Sequence, residues 1–238
     1  MPVIMQGGKT RRASDYYPTQ IEVCRSVCRE MAHMVRLEQP RILDPGAGDG
    51  VWGEAAREVW PKAYIVGVEL RTVPAHPAYD QWKQIDYVQQ TNRLLDFDLV
   101  IGNPPYSLAS EFSTVSYAAL TDRAWMAFLL PNGFMHSGTR RRKLWPMMPL
   151  RYYYVMPERP SFVKEPYVNN AGKLVKPGNT DATDYAIYVW QKNYIGDTVM
   201  RFLDWEKPNR RANGHKGRKA APVTAGTGQV PAADGRLF

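Results

Sequence analysis

The sequence predicts a single α/β domain built on a mostly parallel, doubly wound sheet. Three observations carry that expectation. Short apolar runs alternate with segments of helical periodicity, the pattern of a parallel sheet covered on both faces. A glycine-rich turn, Asp44-Pro45-Gly46-Ala47-Gly48-Asp49-Gly50, separates the first run from the helix that follows. A second loop, Asn103-Pro104-Pro105-Tyr106, ends a later run. Ligands of such sheets bind beyond the carboxyl ends of the strands, so both loops are expected to face one crevice.

The elements follow in chain order. Residues 1–14 are polar and are expected to be mobile. Between Pro18 and Leu37, Ile21, Val23, Cys24, Val27, Cys28, Met31, Met34 and Val35 recur at helical spacing. Arg41 to Leu43 predicts a buried strand, Val51 to Trp60 a helix, and Ala63 to Leu70 a second strand. A weaker third strand is expected near Gln84 to Val88. Phe97 to Ile101 predicts the strand that runs into Asn103, Leu108 to Leu120 a helix, and Ala124 to Leu130 another buried strand. Arg140-Arg141-Arg142-Lys143 opens a helix or lies on one; it would contact phosphates or form a solvated helix end. Arg151 to Met156 and Asp184 to Trp190 predict late strands. The polar segment joining them, with Asn169, Asn170, Lys173 and Lys176, reads as a loop reaching a groove or a mobile hairpin loop. After about Trp205 apolar periodicity is lost, and Gly, Ala, Pro, Lys and Arg dominate. The domain is therefore expected over 15–204 and a disordered tail over 205–238. The sequence shows no internal repeat.

Charge and composition narrow the class. Of the net +8, residues from Glu206 onward contribute +5, with seven basic residues against two acidic. Such a tail suits a polyanionic partner or serves solubility. Aromatic residues make up 12% of the chain, with 14 Tyr and 7 Trp, enough planar surface to stack on a base. No run approaches the roughly 18 apolar residues of a membrane span. Met1 to Arg12 lacks the apolar stretch of a secretory signal, so a cytoplasmic protein is expected. Cys24 and Cys28 share a helix face and are expected to be reduced, partly buried thiols. His33, His76, His136 and His215 show no ligand spacing, and no metal is expected.

Two motifs carry chemistry. Gly46, Gly48 and Gly50 let the backbone approach a ligand closely. Asp44 ends the first strand, where a carboxylate can hold an ammonium group directly or through water. Glu69 ends the second, about 20 residues after the glycines, where an acid accepts hydrogen bonds from two ribose hydroxyls. A free ribose beside an ammonium-bearing side chain describes S-adenosyl-L-methionine better than NAD.

With these residues the sequence resembles the amino-methyltransferases that carry an Asn-Pro-Pro-Tyr signature. These include adenine-N6 DNA methyltransferases, RNA adenine methyltransferases and glutamine-N5 protein methyltransferases. The resemblance covers roughly Asp15 to Trp190. It implies a Rossmann-like methyltransferase fold, with S-adenosyl-L-methionine as cofactor. Asp15-Tyr16-Tyr17-Pro18-Thr19 looks like the family's N-terminal cofactor motif, which puts Tyr17 and Thr19 at the cofactor. Asp44, Gly46 and Gly48 match its glycine-rich motif and Glu69 its ribose acid. Asp86 is placed like the acid that meets the cofactor's adenine amino group. Arg159-Pro160-Ser161-Phe162 resembles a segment whose aromatic residue touches the target base, although Phe162 also suits a core position. Larger members carry a separate target-recognition domain. A chain of 238 residues has no room for one, so tight sequence specificity is not expected.

The residue types fit the chemistry. The lone pair of an aromatic exocyclic amine is delocalised into its ring and must be localised towards the methyl group. The Asn103 side-chain oxygen and the Pro104 carbonyl can each accept one N–H and stabilise the developing positive charge. The prolines stiffen the loop, and Tyr106 offers a flat face for stacking. The favoured reading is methylation of adenine N6 in DNA with the base flipped out of the helix. RNA adenine and protein glutamine remain alternatives, as does a non-catalytic cofactor-binding subunit of a larger complex.

Overall fold

The computed structural model of the chain describes residues 18–90, 94–160, 162, 167–168, 174–175 and 183–205. All of them belong to one unit, Met1–Lys207; the second, Pro208–Phe238, lies outside the described residues.

Helix α1 (Ile21–Ala32) forms where the apolar residues recur every three or four positions. Val23, Cys24, Val27, Cys28 and Met31 are buried, and both cysteines are free thiols. The helix is shorter than its periodicity suggests. The Met31 carbonyl accepts the N–H groups of both Met34 and Val35, closing a turn that keeps Val35 buried outside the helix. Strand β1 (Arg41–Asp44) leads through the glycine turn into α2 (Val51–Val59). Gly50 starts that helix at φ +91°, and a Cβ there would lie 2.3 Å from the His76 ring, so only glycine fits. Strand β2 (Tyr64–Glu69), β3 (Gln81–Gln84), β4 (Phe97–Gly102), α3 (Ala109–Ala119), β5 (Leu120–Pro131) and the short α4 (Gly138–Lys143) follow. Strand β6 (Leu150–Val155), the two-residue strands β7 (Tyr167–Val168) and β8 (Leu174–Val175), β9 (Tyr185–Gln191) and β10 (Val199–Phe202) complete the described chain.

Eight strands form one sheet in the order β10-β6-β9-β5-β4-β1-β2-β3; β7 and β8 pair as a separate antiparallel ribbon. Strand β9 runs antiparallel to both of its neighbours, β5 and β6; every other pairing in the large sheet is parallel. Adjacent residues point to opposite faces. Ile42, Ile65, Ile101, Leu129 and Ile187 pack with α1 and α2, and Leu43, Val66, Val100, Phe128 and Tyr188 pack with α3. Burial on both faces explains why these strands read as continuous apolar runs. No helix among the described residues is long and apolar enough to cross a membrane.

The third strand lies earlier than its apolar residues indicate. Tyr87 to Gln89 form a 3-10 turn, not strand; Asp86 caps it, and Tyr87 is buried with its hydroxyl 2.9 Å from Ser116 Oγ of α3. The strand itself, half-exposed Gln81–Gln84, is an edge. Strand β10 has no counterpart in the sequence reading, because all four of its residues are exposed and give no alternation.

One packing feature is testable. A Cβ on Gly53 of α2 would lie 2.4 Å from the Tyr79 ring. Tyr79 cannot shift without losing hydrogen bonds to the Gly53 N–H and to Asp44. Alanine normally favours a helix over glycine by about 1 kcal/mol. Here Gly53→Ala is expected to destabilise the fold by about 1–3 kcal/mol, the cost of overpacking a tight core. Urea unfolding measures it, and a more stable variant would refute the packing argument.

Candidate active site

The carboxyl ends of β1, β2, β3 and β4 share one rim because these strands are parallel. The glycine turn leaves β1, Glu69 ends β2, Asp86 follows β3, and Asn103-Pro104-Pro105-Tyr106 leaves β4. The two loops touch: a Cβ built on Gly46 would meet Pro105 at 3.9 Å and the Asn103 carbonyl oxygen at 4.0 Å.

Asn103 is held from a distant segment. Its Nδ2 donates to the Thr19 hydroxyl at 3.1 Å, across 84 positions of sequence, and Thr19 is buried. The stretch just before α1 is thereby pinned onto the end of β4, and the amide oxygen of Asn103 is turned to the other side. The Pro105 carbonyl accepts the Leu108 N–H at 3.0 Å, closing the loop into a turn. Tyr17 lies outside the described residues.

Glu69 is nearly buried and fully engaged. Its Oε2 accepts the Gly48 N–H at 2.9 Å and Arg71 Nη2 at 3.2 Å; its Oε1 accepts the Arg71 backbone N–H at 2.8 Å and Nε at 3.1 Å. All four lone-pair sites of a carboxylate are thus taken. A shallow recess of about 350 Å³ adjoins it, lined among others by Gly48, Arg71, Pro74 and His76. A larger groove, about 700 Å³, runs along α1 beside Leu203 and Trp205, and none of the expected site residues lines it. Asp86 uses its side chain to accept the Val88 N–H at 3.2 Å.

Asp44 ends β1, as the sequence predicts. It is entirely buried, so it is not an open acceptor on the crevice. Its Oδ2 accepts the Tyr79 hydroxyl at 2.6 Å, and Oδ1 has no hydrogen-bond partner among the described residues. Burial pushes its pKa up to about 7, and the charge of Glu69 adds to this; the Tyr79 hydroxyl and the Gly46 N–H oppose it. Burial likewise pushes the Tyr79 phenol up. Tyr79 reaches Asp44 through space left by Gly53 and Gly67, where a Cβ would lie under 3 Å from its ring.

The aromatic side of the site comes from three segments. The rings of Tyr106 and Tyr185 lie 5.7 Å apart, and those of Phe162 and Tyr185 lie 4.9 Å apart, edge to face. Tyr185 is buried at the start of β9 and carries both. Arg159 pairs with Asp184 at 2.6 Å, beside Tyr185 in sequence. The sequence reading placed Tyr106 and Phe162 but missed Tyr79 and Tyr185. Tyr185 was visible only as one residue of the strand expected over Asp184 to Trp190, and Tyr79 sits in a loop without a pattern.

No protein-family model matches the chain, and no curated protein matches it in sequence. Solved structures do match. A Listeria monocytogenes protein assigned to the class I S-adenosylmethionine-dependent methyltransferases aligns over 81% of this chain and 68% of its own, with TM-score 0.61 and 12% identity. The fold is that of the class I methyltransferases. The methyltransferase subunit of a type I restriction-modification system from Streptococcus thermophilus aligns over 78% of this chain, with TM-score 0.59 and 18% identity. This chain spans 47% of that subunit. A Pyrococcus horikoshii protein assigned as an RNA methyltransferase aligns over 78% of this chain and 91% of its own, with TM-score 0.53 and 17% identity.

The buried acid predicts a pH dependence. An aspartate whose folded pKa is raised from 3.8 to about 7 adds stability below pH 4, and that stability is lost as pH rises through 7. Between pH 5 and 8 the loss from Asp44 is expected to reach about 2–3 kcal/mol. Urea midpoints should therefore fall over this range, and the slope should flatten in Asp44→Asn. An equally steep slope in that variant would remove Asp44 as its source.

Proposed function

We propose that this chain transfers a methyl group from S-adenosyl-L-methionine to the N6 amino group of adenine in DNA. The observation that carries the reading is the contact between the glycine turn and the Asn-Pro-Pro-Tyr loop, with the aromatic rings of Tyr106, Tyr185 and Phe162 beside it.

The residues present fit the cofactor. The carboxylate of Glu69 lies at the end of β2 against the glycine turn, where a ribose would be gripped. Two ribose hydroxyls find acceptors there once the Arg71 guanidinium yields its two bonds, while the Gly48 and Arg71 backbone N–H groups keep the carboxylate in place. Asp86 and Thr19 flank the same rim. Bound there, S-adenosyl-L-methionine supplies an electrophilic methyl group. Thr19 fixes the amide of Asn103, so that its oxygen accepts one N–H of the target amine, and the Pro104 carbonyl accepts the other. Two preorganised acceptors draw the nitrogen lone pair out of the ring and offset the positive charge that develops on it. Tyr106 stacks on the flipped base and Phe162 forms a second wall. These aromatic faces offset part of the cost of unstacking.

Two outcomes are expected. Glu69→Ala weakens cofactor binding by about 1.5–3 kcal/mol, the range for hydrogen bonds to a charged group, as measured by calorimetry on the folded variant. Asn103→Ala leaves that affinity nearly intact and slows single-turnover methylation at least ~10²-fold. Mass spectrometry of nucleosides from DNA and RNA incubated with the wild-type chain and cofactor decides the substrate. N6-methyladenine appearing in RNA and not in DNA would transfer the catalytic argument to RNA.

A further inference from the structure

We propose that Arg141, Arg142 and Lys143 of α4 form a docking surface for the sugar-phosphate backbone of the nucleic acid whose base enters the site. The inference rests on the nucleic-acid reading above and adds the surface that holds the strand. From Arg123 to Pro157 the sequence holds six Arg or Lys residues and no Asp or Glu. Four of the six are consecutive, Arg140 to Lys143, and they make up most of α4.

The structure separates these four into two jobs. Arg140 is spent on the fold. Its Nε donates to the Phe134 carbonyl at 2.6 Å, its Nη2 donates to the Gly133 carbonyl at 3.3 Å, and its guanidinium lies 4.5 Å over the Phe134 ring. These bonds tie α4 to the turn that leaves the carboxyl end of β5. The far end of the helix is anchored by buried Leu144 and Met148 and by Trp145, whose ring stacks parallel to Trp190. Arg141, Arg142 and Lys143 are exposed, and none makes an ion pair among the described residues. Three unneutralised cations are thereby held on a short, fixed helix.

Their place in the fold suits the task. Strand β5 is the neighbour of β4, with Gly102 paired to Phe128, and it runs three residues further to Pro131. At ~4.8 Å per strand and ~3.3 Å per residue, the end of β5 lies roughly 11 Å from the end of β4, and the bonds of Arg140 hold α4 against the turn that follows it. That separation is a few nucleotides along a strand at ~3.4 Å per step. Cations placed there hold the flanking backbone and leave the base pocket clear. Phosphate contacts of this kind set position without reading sequence.

The test uses the full chain and a fluorescent DNA duplex. In the triple variant Arg141→Gln/Arg142→Gln/Lys143→Gln, the slope of log affinity against log salt should fall by about two to three, near 0.9 per lost phosphate contact. Cofactor affinity, read by calorimetry, should not change, which also reports that the variant is folded. Arg141→Lys/Arg142→Lys should keep the wild-type slope, since charge is retained. Arg140→Gln should instead lower the unfolding midpoint. A triple variant with the wild-type slope overturns the proposed surface and leaves the methyltransferase reading standing. A wild-type chain that binds no nucleic acid overturns both.

Discussion

The hydrogen bond from Tyr79 to Asp44 holds four parts of the rim together. Asp44 ends β1, Tyr79 belongs to the loop between β2 and β3, and its hydroxyl also accepts the N–H of Gly53 in α2. Its ring lies against Gly67 in the middle of β2. A side chain at Gly53 or Gly67 would expel that ring. Without the tyrosine, a fully buried carboxylate would lose its 2.6 Å hydrogen bond from that hydroxyl, an expensive loss in a low-dielectric interior. The glycine turn is carried by this buried contact. Its neighbour on the other side, Gly102, is constrained less tightly, since a Cβ there would stand 3.0 Å from Asp44 Oδ1.

Much of the architecture was legible in the sequence because both faces of the sheet are buried. Runs such as Ala124 to Leu130 then announce themselves without alternation, and the glycine turn and the Asn-Pro-Pro-Tyr loop mark two strand ends. What failed to show was whatever lacks a burial signature. The edge strand β10 exposes every residue, and β3 is half-exposed with its apolar neighbour Tyr87 recruited to a turn. In the site, residue types with fixed chemistry were readable: Asn103, Glu69 and Tyr106. Tyr79 and Tyr185 were not, because their roles come from where the chain returns in space. Asp44 was legible as a carboxylate at a strand end, but its burial was not, since sequence does not say which way such a side chain turns.

Two kinds of restraint meet at the rim, and their strengths differ. Glu69 is gripped by backbone N–H groups, which the fold fixes, and by the Arg71 guanidinium, whose side chain is 39% exposed and which water and salt weaken. Removing the guanidinium bonds leaves the carboxylate aligned, so a ligand that needs those lone pairs meets an acceptor already oriented. Asn103 shows the same division. Its amide is oriented by the buried hydroxyl of Thr19, just before α1, and its backbone is stiffened by the two prolines.

The aromatic wall is built on the weaker principle. Arg159 and Asp184 are both substantially exposed, so their ion pair contributes little, in the range of 0–1 kcal/mol typical of surface pairs. Phe162 packs against the core and meets Tyr185 edge to face, a contact worth about 0.5–1.5 kcal/mol beyond area burial. Tyr185 is buried in the sheet and Phe162 is not. The side of the site that would take the methyl donor is thus fixed by backbone geometry and buried polar contacts. The side that would take the planar substrate has one ring locked in β9 and two partly exposed rings leaning on it. The two sides of the rim thus differ in how firmly the fold holds them: one by backbone N–H groups and buried hydroxyls, the other by ring contacts on a single buried tyrosine.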